Sequence, residues 1–196
     1  MSTDLHSFLR TRCSIRRFKA DSVPASVIEQ ILETATYAPS AHNLQPWRFV
    51  VVADLSARNQ LGQALTNKMR ADMTAIGMPQ REIDLRAKRS LHRLDKAPVV
   101  VLLCRDVTAI QRDEQEEITM SIQSVAAAGL QLLLAAHAEG LGGNWICWPL
   151  YAQEAARAAL DLPDTWEPQA MFFLGYADEE PGEKKLKSLE EIVINI

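Results

Sequence analysis

A long apolar helix in the second half of the chain is the feature that most restricts the fold. Hydrophobic periodicity predicts this helix from about Glu116 to Ala138, and Gly140 is a good C-terminal stop. Its middle, Ala126–Gly129, holds only small residues, so a second helix can approach closely. Gln131 and His137 interrupt its apolar half, which is not typical of a membrane span. We therefore expect a helix inside a folded domain.

The composition fits one compact domain and argues against several functions. With 196 residues, of which 47% are apolar, the chain can bury a full core, and we expect one domain over residues 1–196. A net charge of −4, from 21 basic and 25 acidic residues, gives no overall basic field for nucleic acid. The distant Cys13, Cys104 and Cys147 fit a reducing compartment, and Met1–His6 has no signal-peptide pattern. We expect a cytoplasmic protein without nucleic-acid or membrane partners.

Periodicity elsewhere predicts helices separated by a few strands. Leu5, Phe8 and Leu9 fit a short first helix, and a second helix begins near Pro24 and ends before Pro39. This mixture favours the α+β or α/β class. The other predicted elements are strands at 48–53, 98–104 and 170–176, and helices at 55–73 and 153–160.

Two further segments have open interpretations. The apolar end of the chain, Leu189–Ile196, predicts a strand-like tail that either joins its own sheet or reaches across to a second subunit. Together with the small-residue helix, this tail favours a homodimer. The charged segment 73–91 predicts either a mobile lid or an exposed helix.

A basic segment near the N-terminus suits a phosphate. If residues 12–16 are extended, successive side chains alternate faces, so Arg12, Ser14 and Arg16 point the same way and Arg17 points away. Two guanidinium groups with a hydroxyl between them match the acceptor oxygens of a phosphate. The alternative is a solvated basic strand paired with surface acids.

The loop from Pro39 to Pro46 supplies complementary polar groups. Ser40, Asn43 and Gln45 can each donate and accept hydrogen bonds, so they can bind a hydroxylated chain or the edge of a heterocycle. The prolines reduce the entropy lost when the loop is ordered. An ordinary turn capped by Asx hydrogen bonds is the alternative. His42 has no second histidine or carboxylate nearby in sequence, which argues against a metal site.

A glycine-rich segment follows the long helix. Gly142 and Gly143 can let the backbone approach a flat ligand, or they can simply form a helix-terminal turn. A Rossmann glycine loop is excluded, because that loop opens a helix and this one closes a helix. Cys13 is either a reactive thiolate among arginines or a small residue whose backbone lies near the ligand.

The chain resembles the nitroreductase family of FMN-dependent oxidoreductases in three motifs. They are Arg-x-Ser-x-Arg-x-Phe at 12–18, Ala-Pro-Ser-x-x-Asn-x-Gln-Pro-Trp-x-Phe at 38–49, and Gly-Leu-Gly at 140–142. Their order and spacing cover nearly the whole chain. Shorter segments at 88–90, 97–100, 145–147 and 162–168 are similar to the nitroreductase-like domain fused to the glutamyl ligase of deazaflavin cofactor biosynthesis.

The resemblance implies a fold, an assembly and a phosphate site. The implied fold is α+β, with a mainly antiparallel central sheet wrapped by helices, in an intertwined homodimer that binds FMN at the subunit interface. Arg12, Ser14 and Arg16 would contact the FMN phosphate and nearby flavin atoms, and Lys185 or Lys187 would join them. Where many relatives have a second arginine, this chain has Cys13.

The resemblance also assigns the residues around the flavin ring. Pro39, Ser40 and Asn43 would come from the partner subunit or line the isoalloxazine, and Gln45 belongs to the same cofactor-binding loop. Arg70, in the helix after the first strand, is a further contact. Gly142 and Gly143 would present backbone near the reactive ring nitrogen, although Gly143 replaces a serine common in the narrower group.

The implied activity is hydride transfer from NAD(P)H through FMN to a small acceptor such as a nitroaromatic or a quinone. No side chain need act as a general acid. One alternative is a specialised flavin enzyme on the same scaffold, of the dehalogenase or flavin-cleaving type. Another is a protein that binds FMN or a deazaflavin without turnover.

Overall fold

A four-stranded sheet and the helices around it form the fold. The structure, a computed structural model, describes residues 4–196. Residues 1–3, included in the predictions of a single domain and of an N-terminus without a signal, lie outside this range. The strands are β1 (Trp47–Val51), β2 (Val99–Asp106), β3 (Gly142–Ile146) and β4 (Trp166–Gly175). The helices are α1 (Leu5–Thr11), α2 (Ala25–Ala35), α3 (Leu55–Ala75), α4 (Gln80–Lys96), α5 (Gln115–Ala138), α6 (Gln153–Ala159) and α7 (Leu189–Ile192).

The sheet has the strand order β1-β2-β4-β3, and every neighbouring pair is antiparallel. All eight residues of β2 are buried, because helices cover both faces of the sheet. Val101 and Leu103 face one core, which contains α2 and α5, whereas Val100 and Leu102 face the other, which contains α3 and α6. The prediction of an α+β fold with a mainly antiparallel sheet is confirmed.

Helix α5 runs through the first of these cores. By length and composition it could span a membrane, but core helices pass the same test, and here Val125, Ala128 and Leu132 are fully buried. Gly129 lies against an aromatic side chain of the sheet, since a Cβ built there would be 2.7 Å from the Trp145 ring. The small residues of α5 therefore allow β3, as well as the neighbouring α2, to pack closely against this helix.

Three predictions about local structure need correction or refinement. The end of the chain is not strand-like throughout: Ser188 and Glu191 form a capping box that begins α7, and the following tail is exposed. Gly142 begins a strand, β3, and does not belong to a helix-terminal turn. Most of segment 73–91 lies in α3 and α4, and α4 buries Ile83, Ala87 and Leu94 while keeping its charges outside.

Candidate functional site

The basic segment Arg12–Phe18 is attached to the edge of the sheet. Ser14 forms a parallel bridge with Gly143, and the Ile15 amide donates to the Gly143 carbonyl at 3.0 Å. Further along, the Lys19 amide donates to the Tyr176 carbonyl at 2.9 Å. Because these bonds run along the backbone, they fix the segment in an extended conformation beside β3.

The glycines of β3 allow this close attachment. A Cβ on Gly142 would lie 2.6 Å from the Ile15 Cβ, and one on Gly143 would lie 2.6 Å from a methyl group of Leu133. Both glycines are buried. Their lack of a side chain is thus required for packing of the chain against itself, whatever their backbone contributes to a ligand.

A cleft of about 260 Å³ lies beside the first half of this segment. Arg12 and Cys13 line one side, and His137 at the end of α5 lines another. The His137 Nε2 is 3.0 Å from the Thr11 hydroxyl, and its ring stacks on Phe8 with centroids 4.9 Å apart. Burial lowers the pKa of His137, and the positive charges of Arg12 and Lys184 act in the same direction. Gly140, Leu141, Gly142 and Gly143 complete the wall nearest β3.

A second, more basic cleft of about 570 Å³ lies beside the other half of the segment. Arg16, Arg17 and Phe18 form one wall, and the C-terminal half of α4 forms the facing wall. Arg12 and Arg16 therefore line different clefts, and Arg16 shares its cleft with Arg17. The alternation of faces predicted from the sequence would group Arg16 with Arg12 and apart from Arg17, whereas the two clefts group Arg16 with Arg17.

Glu179 holds the far end of the segment. Its carboxylate accepts hydrogen bonds from the backbone amides of Arg16 and Arg17, the latter at 3.1 Å, and pairs with the Arg17 guanidinium at 3.3 Å. The Arg16 amide contributes most to holding the pKa of Glu179 below its usual range, ahead of the Arg17 amide and charge. Arg17 is thus neutralised, whereas the Arg12 and Arg16 side chains form no ion pair within residues 4–196.

The second predicted region, the loop between Pro39 and Pro46, is held by its own hydrogen bonds. The Ser40 hydroxyl accepts from the Gln45 amide at 3.1 Å, and the Gln45 side-chain amide donates to the Asn43 side chain at 3.1 Å. The Ala41 amide donates to the Ser124 hydroxyl of α5 at 3.1 Å. Pro39, Asn43 and Gln45 are exposed, so their outer faces remain available to another molecule.

Three residues of this loop have left-handed backbone conformations. The φ angles are 52° at His42, 54° at Asn43 and 49° at Gln45. Asparagine tolerates this region well, but histidine and glutamine adopt it at a cost of the order of 1 kcal/mol each. Such strain on an exposed loop is typical of a functional site. His42 also lies near an acid, with its Nε2 3.6 Å from the Glu117 Oε1.

The two predicted regions lie far apart in one chain. The loop contacts α5 at Ser124, whereas the cleft of Arg12 contacts it at Leu133 and His137, nine and thirteen residues later. At 1.5 Å per helical residue these contacts lie roughly 14 to 20 Å apart along the helix axis. A single protomer does not bring both regions together around one phosphate.

The remaining predicted residues lie outside both clefts. Arg70 pairs with Asp84 of α4. Lys185 and Lys187 are exposed in the segment before α7, close in sequence to Lys184, whose ammonium group donates to the Arg10 carbonyl. This contact brings the basic end of the chain toward α1 and the Arg12 segment.

Two features of the site were missed from the sequence. Glu179 has no local pattern that marks it as an anchor, because its partners lie more than 160 residues away. The spacing of the basic residues of α4 could have indicated that they share one helix face, but the cleft that they line depends on the tertiary fold.

Among residues 4–196, no group of three potential metal ligands is present. Burial raises the pKa of the Cys104 thiol to about 12.

Comparisons with known proteins give consistent results. The sequence profile of the Nitroreductase family matches residues 9–176. YfhC of Bacillus subtilis, named as an NAD(P)H nitroreductase, is 31% identical over 186 residues, covering 92% of this chain and 88% of the relative. The 5,6-dimethylbenzimidazole synthase of Rhodospirillum rubrum is 31% identical over 180 residues, covering 90% and 83%. A nitroreductase from Desulfovibrio desulfuricans, solved in complex with FMN, superimposes with a TM-score of 0.77 at 25% identity, covering 100% and 98%.

Proposed function

Since this chain belongs to the nitroreductase family, we propose that it is an FMN-dependent oxidoreductase that transfers electrons from NAD(P)H to a small acceptor such as a nitroaromatic or a quinone. The observation that carries the cofactor assignment is the attachment of the Arg12–Arg16 segment to β3, which holds basic side chains beside clefts at the sheet edge. A related nitroreductase binds FMN. Bound FMN supplies hydride transfer between donor and acceptor.

The residues of this segment fit a flavin phosphate. Arg12 has no acidic partner within residues 4–196, and it lines a cleft that Gly142 and Gly143 border. An unpaired guanidinium group can donate two parallel hydrogen bonds to phosphate oxygens. In this proposal Arg12, Ser14 and Arg16 contact the phosphate and nearby flavin atoms, with Cys13 beside them. Lys185 and Lys187 of the exposed tail add charge, and Arg70, which pairs with Asp84, is a further proposed contact.

A second subunit would complete the site. The loop residues Pro39, Ser40, Asn43 and Gln45 lie roughly 14 to 20 Å along α5 from the Arg12 cleft, so we assign them to the FMN of the partner subunit. A homodimer is supported by exposed apolar residues at helical spacing on α5, namely Ile122, Ala126 and Leu130, and by the exposed apolar tail. We also propose a cytoplasmic location, supported by three free cysteines.

The experiment that tests this function begins with the colour of the purified protein. We expect bound FMN, identified by chromatography after release, and steady NAD(P)H oxidation with a nitroaromatic or quinone acceptor. The double variant Arg12→Ala/Arg16→Ala should purify without flavin, whereas Arg10→Ala, a matched loss of an exposed arginine on α1, should retain it. A yellow double variant would contradict the phosphate assignment, and a colourless wild type that rejects added FMN would contradict the function. Bound flavin without NAD(P)H oxidation would favour a binding protein.

A second candidate is a specialised flavin enzyme on the same scaffold. It is favoured by the relative from Rhodospirillum rubrum, which is named 5,6-dimethylbenzimidazole synthase and is as similar to this chain as YfhC. Incubation with reduced FMN and oxygen, followed by mass spectrometry, separates the two: release of 5,6-dimethylbenzimidazole would favour the second candidate. The narrower likeness to the deazaflavin-associated domain is tested by equilibrium binding of a deazaflavin.

A further inference from the structure

The basic cleft next to Arg16 has a second wall that the proposed flavin site does not use. Arg89, His92, Arg93 and Lys96 line it from α4. Their spacing of three, four and seven residues places them on one helix face. Arg16 and Arg17 face them across the cleft, so cationic side chains from two distant parts of the chain meet there.

The charges of this cleft are only partly neutralised. Two acidic residues, Asp178 and Glu179, line the cleft with the cationic ones. Glu179 pairs with Arg17, and Asp95, outside the cleft, lies 3.4 Å from the Lys96 ammonium. Arg89 and Arg93, by contrast, make no ion pair or side-chain hydrogen bond within residues 4–196. Earlier in the same helix the pattern differs, because Arg86 pairs with Glu82 four residues before it.

Arg93 also connects the cleft to the sheet. It lines a neighbouring recess of about 80 Å³ together with the side chains of Asn144, Ile146, Trp148 and Phe173. Asn144 and Ile146 belong to β3, the strand that holds the Arg12–Arg16 segment. A mostly apolar recess with aromatic walls therefore adjoins a basic cleft, and both adjoin the proposed flavin-binding edge.

We propose that Arg89 and Arg93 form a subsite that binds the anionic group of a molecule exchanging electrons with the flavin, so that the enzyme selects negatively charged substrates. The planar guanidinium groups suit a carboxylate or a phosphate, and the recess beside Arg93 accepts an apolar or aromatic part of the same molecule. The anionic group belongs either to the acceptor, as an aromatic carboxylate, or to the donor, as the 2′-phosphate that distinguishes NADPH from NADH. This inference rests on the proposed function and adds a substrate class to it.

The test compares matched substrates on matched variants of the FMN-loaded protein. The double variant Arg89→Gln/Arg93→Gln removes both charges, and Arg81→Gln/Lys88→Gln removes two exposed charges of α4 that do not line the cleft. The acceptors are 4-nitrobenzoate and the neutral 4-nitrobenzyl alcohol, and the donors are NADPH and NADH. We expect kcat/KM for 4-nitrobenzoate or for NADPH, the member of each pair with the additional anionic group, to fall about tenfold or more in the first variant, as for a lost charge-assisted contact. The control variant should keep the wild-type ratio.

A binding measurement makes the test independent of turnover. Trp148 lines the recess, so quenching of tryptophan fluorescence can report equilibrium binding of 4-nitrobenzoate and of NADP⁺, which carries the 2′-phosphate but has no hydride to transfer to the flavin. The wild type should bind the ligand that occupies the subsite more weakly as the salt concentration rises. The Arg89→Gln/Arg93→Gln variant should bind the same ligand about tenfold more weakly than the wild type does.

If the first variant loses the wild-type preference for 4-nitrobenzoate over 4-nitrobenzyl alcohol, the anionic group belongs to the acceptor. If it loses the wild-type preference for NADPH over NADH, the anionic group belongs to the donor. The proposal is overturned if the first variant keeps the wild-type ratio of kcat/KM both for 4-nitrobenzoate against 4-nitrobenzyl alcohol and for NADPH against NADH. It is also overturned if the variant loses FMN, which would place the cofactor itself in this cleft. A wild type that binds no FMN would instead contradict the proposed function, and in that case the fluorescence titration still decides whether the cleft binds anions.

Discussion

The basic segment and the polar loop carry the two most distinctive motifs of the chain, and their structural support differs. The Arg12–Phe18 segment is held by backbone contacts to β3 and to the residues that follow β4, and by Glu179, so its position depends on the tertiary fold. The Pro39–Pro46 loop is exposed, holds its shape through Ser40 and Gln45, and has three non-glycine residues with positive φ. One region is fixed by tertiary contacts, and the other largely by local ones.

This difference predicts how each half of the proposed site responds to change. Damage to the contacts of the basic segment should affect global stability together with cofactor binding, because the same bonds hold the sheet edge. Damage within the loop should affect cofactor binding with little change in global stability, since the loop buries few groups. The three substitutions below test this contrast.

The largest effect is expected for Gly142→Ala. The new Cβ would lie 2.6 Å from Ile15, so the basic segment must shift away from β3. Overpacking of this kind costs about 2 kcal/mol of the free energy of unfolding, and FMN affinity should fall with it. Urea denaturation and flavin titration measure both. Gly182→Ala is the matched control, because a Cβ there meets nothing within 4 Å. Equal stability and equal FMN affinity for the two variants would mean that the segment is not held as described.

A smaller effect is expected for Ser40→Ala. It removes the acceptor of the Gln45 amide, which contributes about 1 kcal/mol to the order of the loop. We expect faster proteolysis within residues 39–46 and weaker FMN binding, with a melting temperature close to that of the wild type. Ser56→Ala, at an exposed serine of α3, serves as control. A clear drop in melting temperature would place the loop, like the basic segment, among the elements that hold the fold.

The smallest effect is expected for Glu179→Gln, and it should depend on pH. Because the folded-state pKa of this carboxyl is lowered, its contribution is present above its ordinary pKa and is lost as pH falls through the folded-state value. The wild type should therefore unfold at a higher temperature than the variant at neutral pH, and the difference should shrink as the pH falls below the ordinary carboxyl pKa. Glu180→Gln, at the exposed neighbouring position, is the control. A difference that persists in acid would exclude the carboxylate as its source.

Local patterns predicted most of the helices and three of the four strands. The long helix, the helix after Pro24 and the buried strand of valines and leucines follow from periodicity and from proline, and each is confirmed within a few residues. β3 was not predicted, because Gly-Gly-Asn-Trp-Ile has weak strand propensity and becomes a strand only by pairing with β4 and with Ser14. α7 was missed although its capping box, Ser188 with Glu191, is visible in the sequence.

The sequence by itself determined the chemistry that this protein carries: arginines and a serine at alternating positions, a loop of amides between prolines, and the family to which these motifs belong. Only the tertiary structure decided where that chemistry lies. It separated Arg12 from Arg16 into two clefts, placed the loop roughly 14 to 20 Å along α5 from the Arg12 cleft, and brought α4 opposite Arg16. The physical reason is that these positions depend on contacts between residues far apart in the chain, such as Ser14 with Gly143 and Arg16 with Glu179, and periodicity does not encode such pairings.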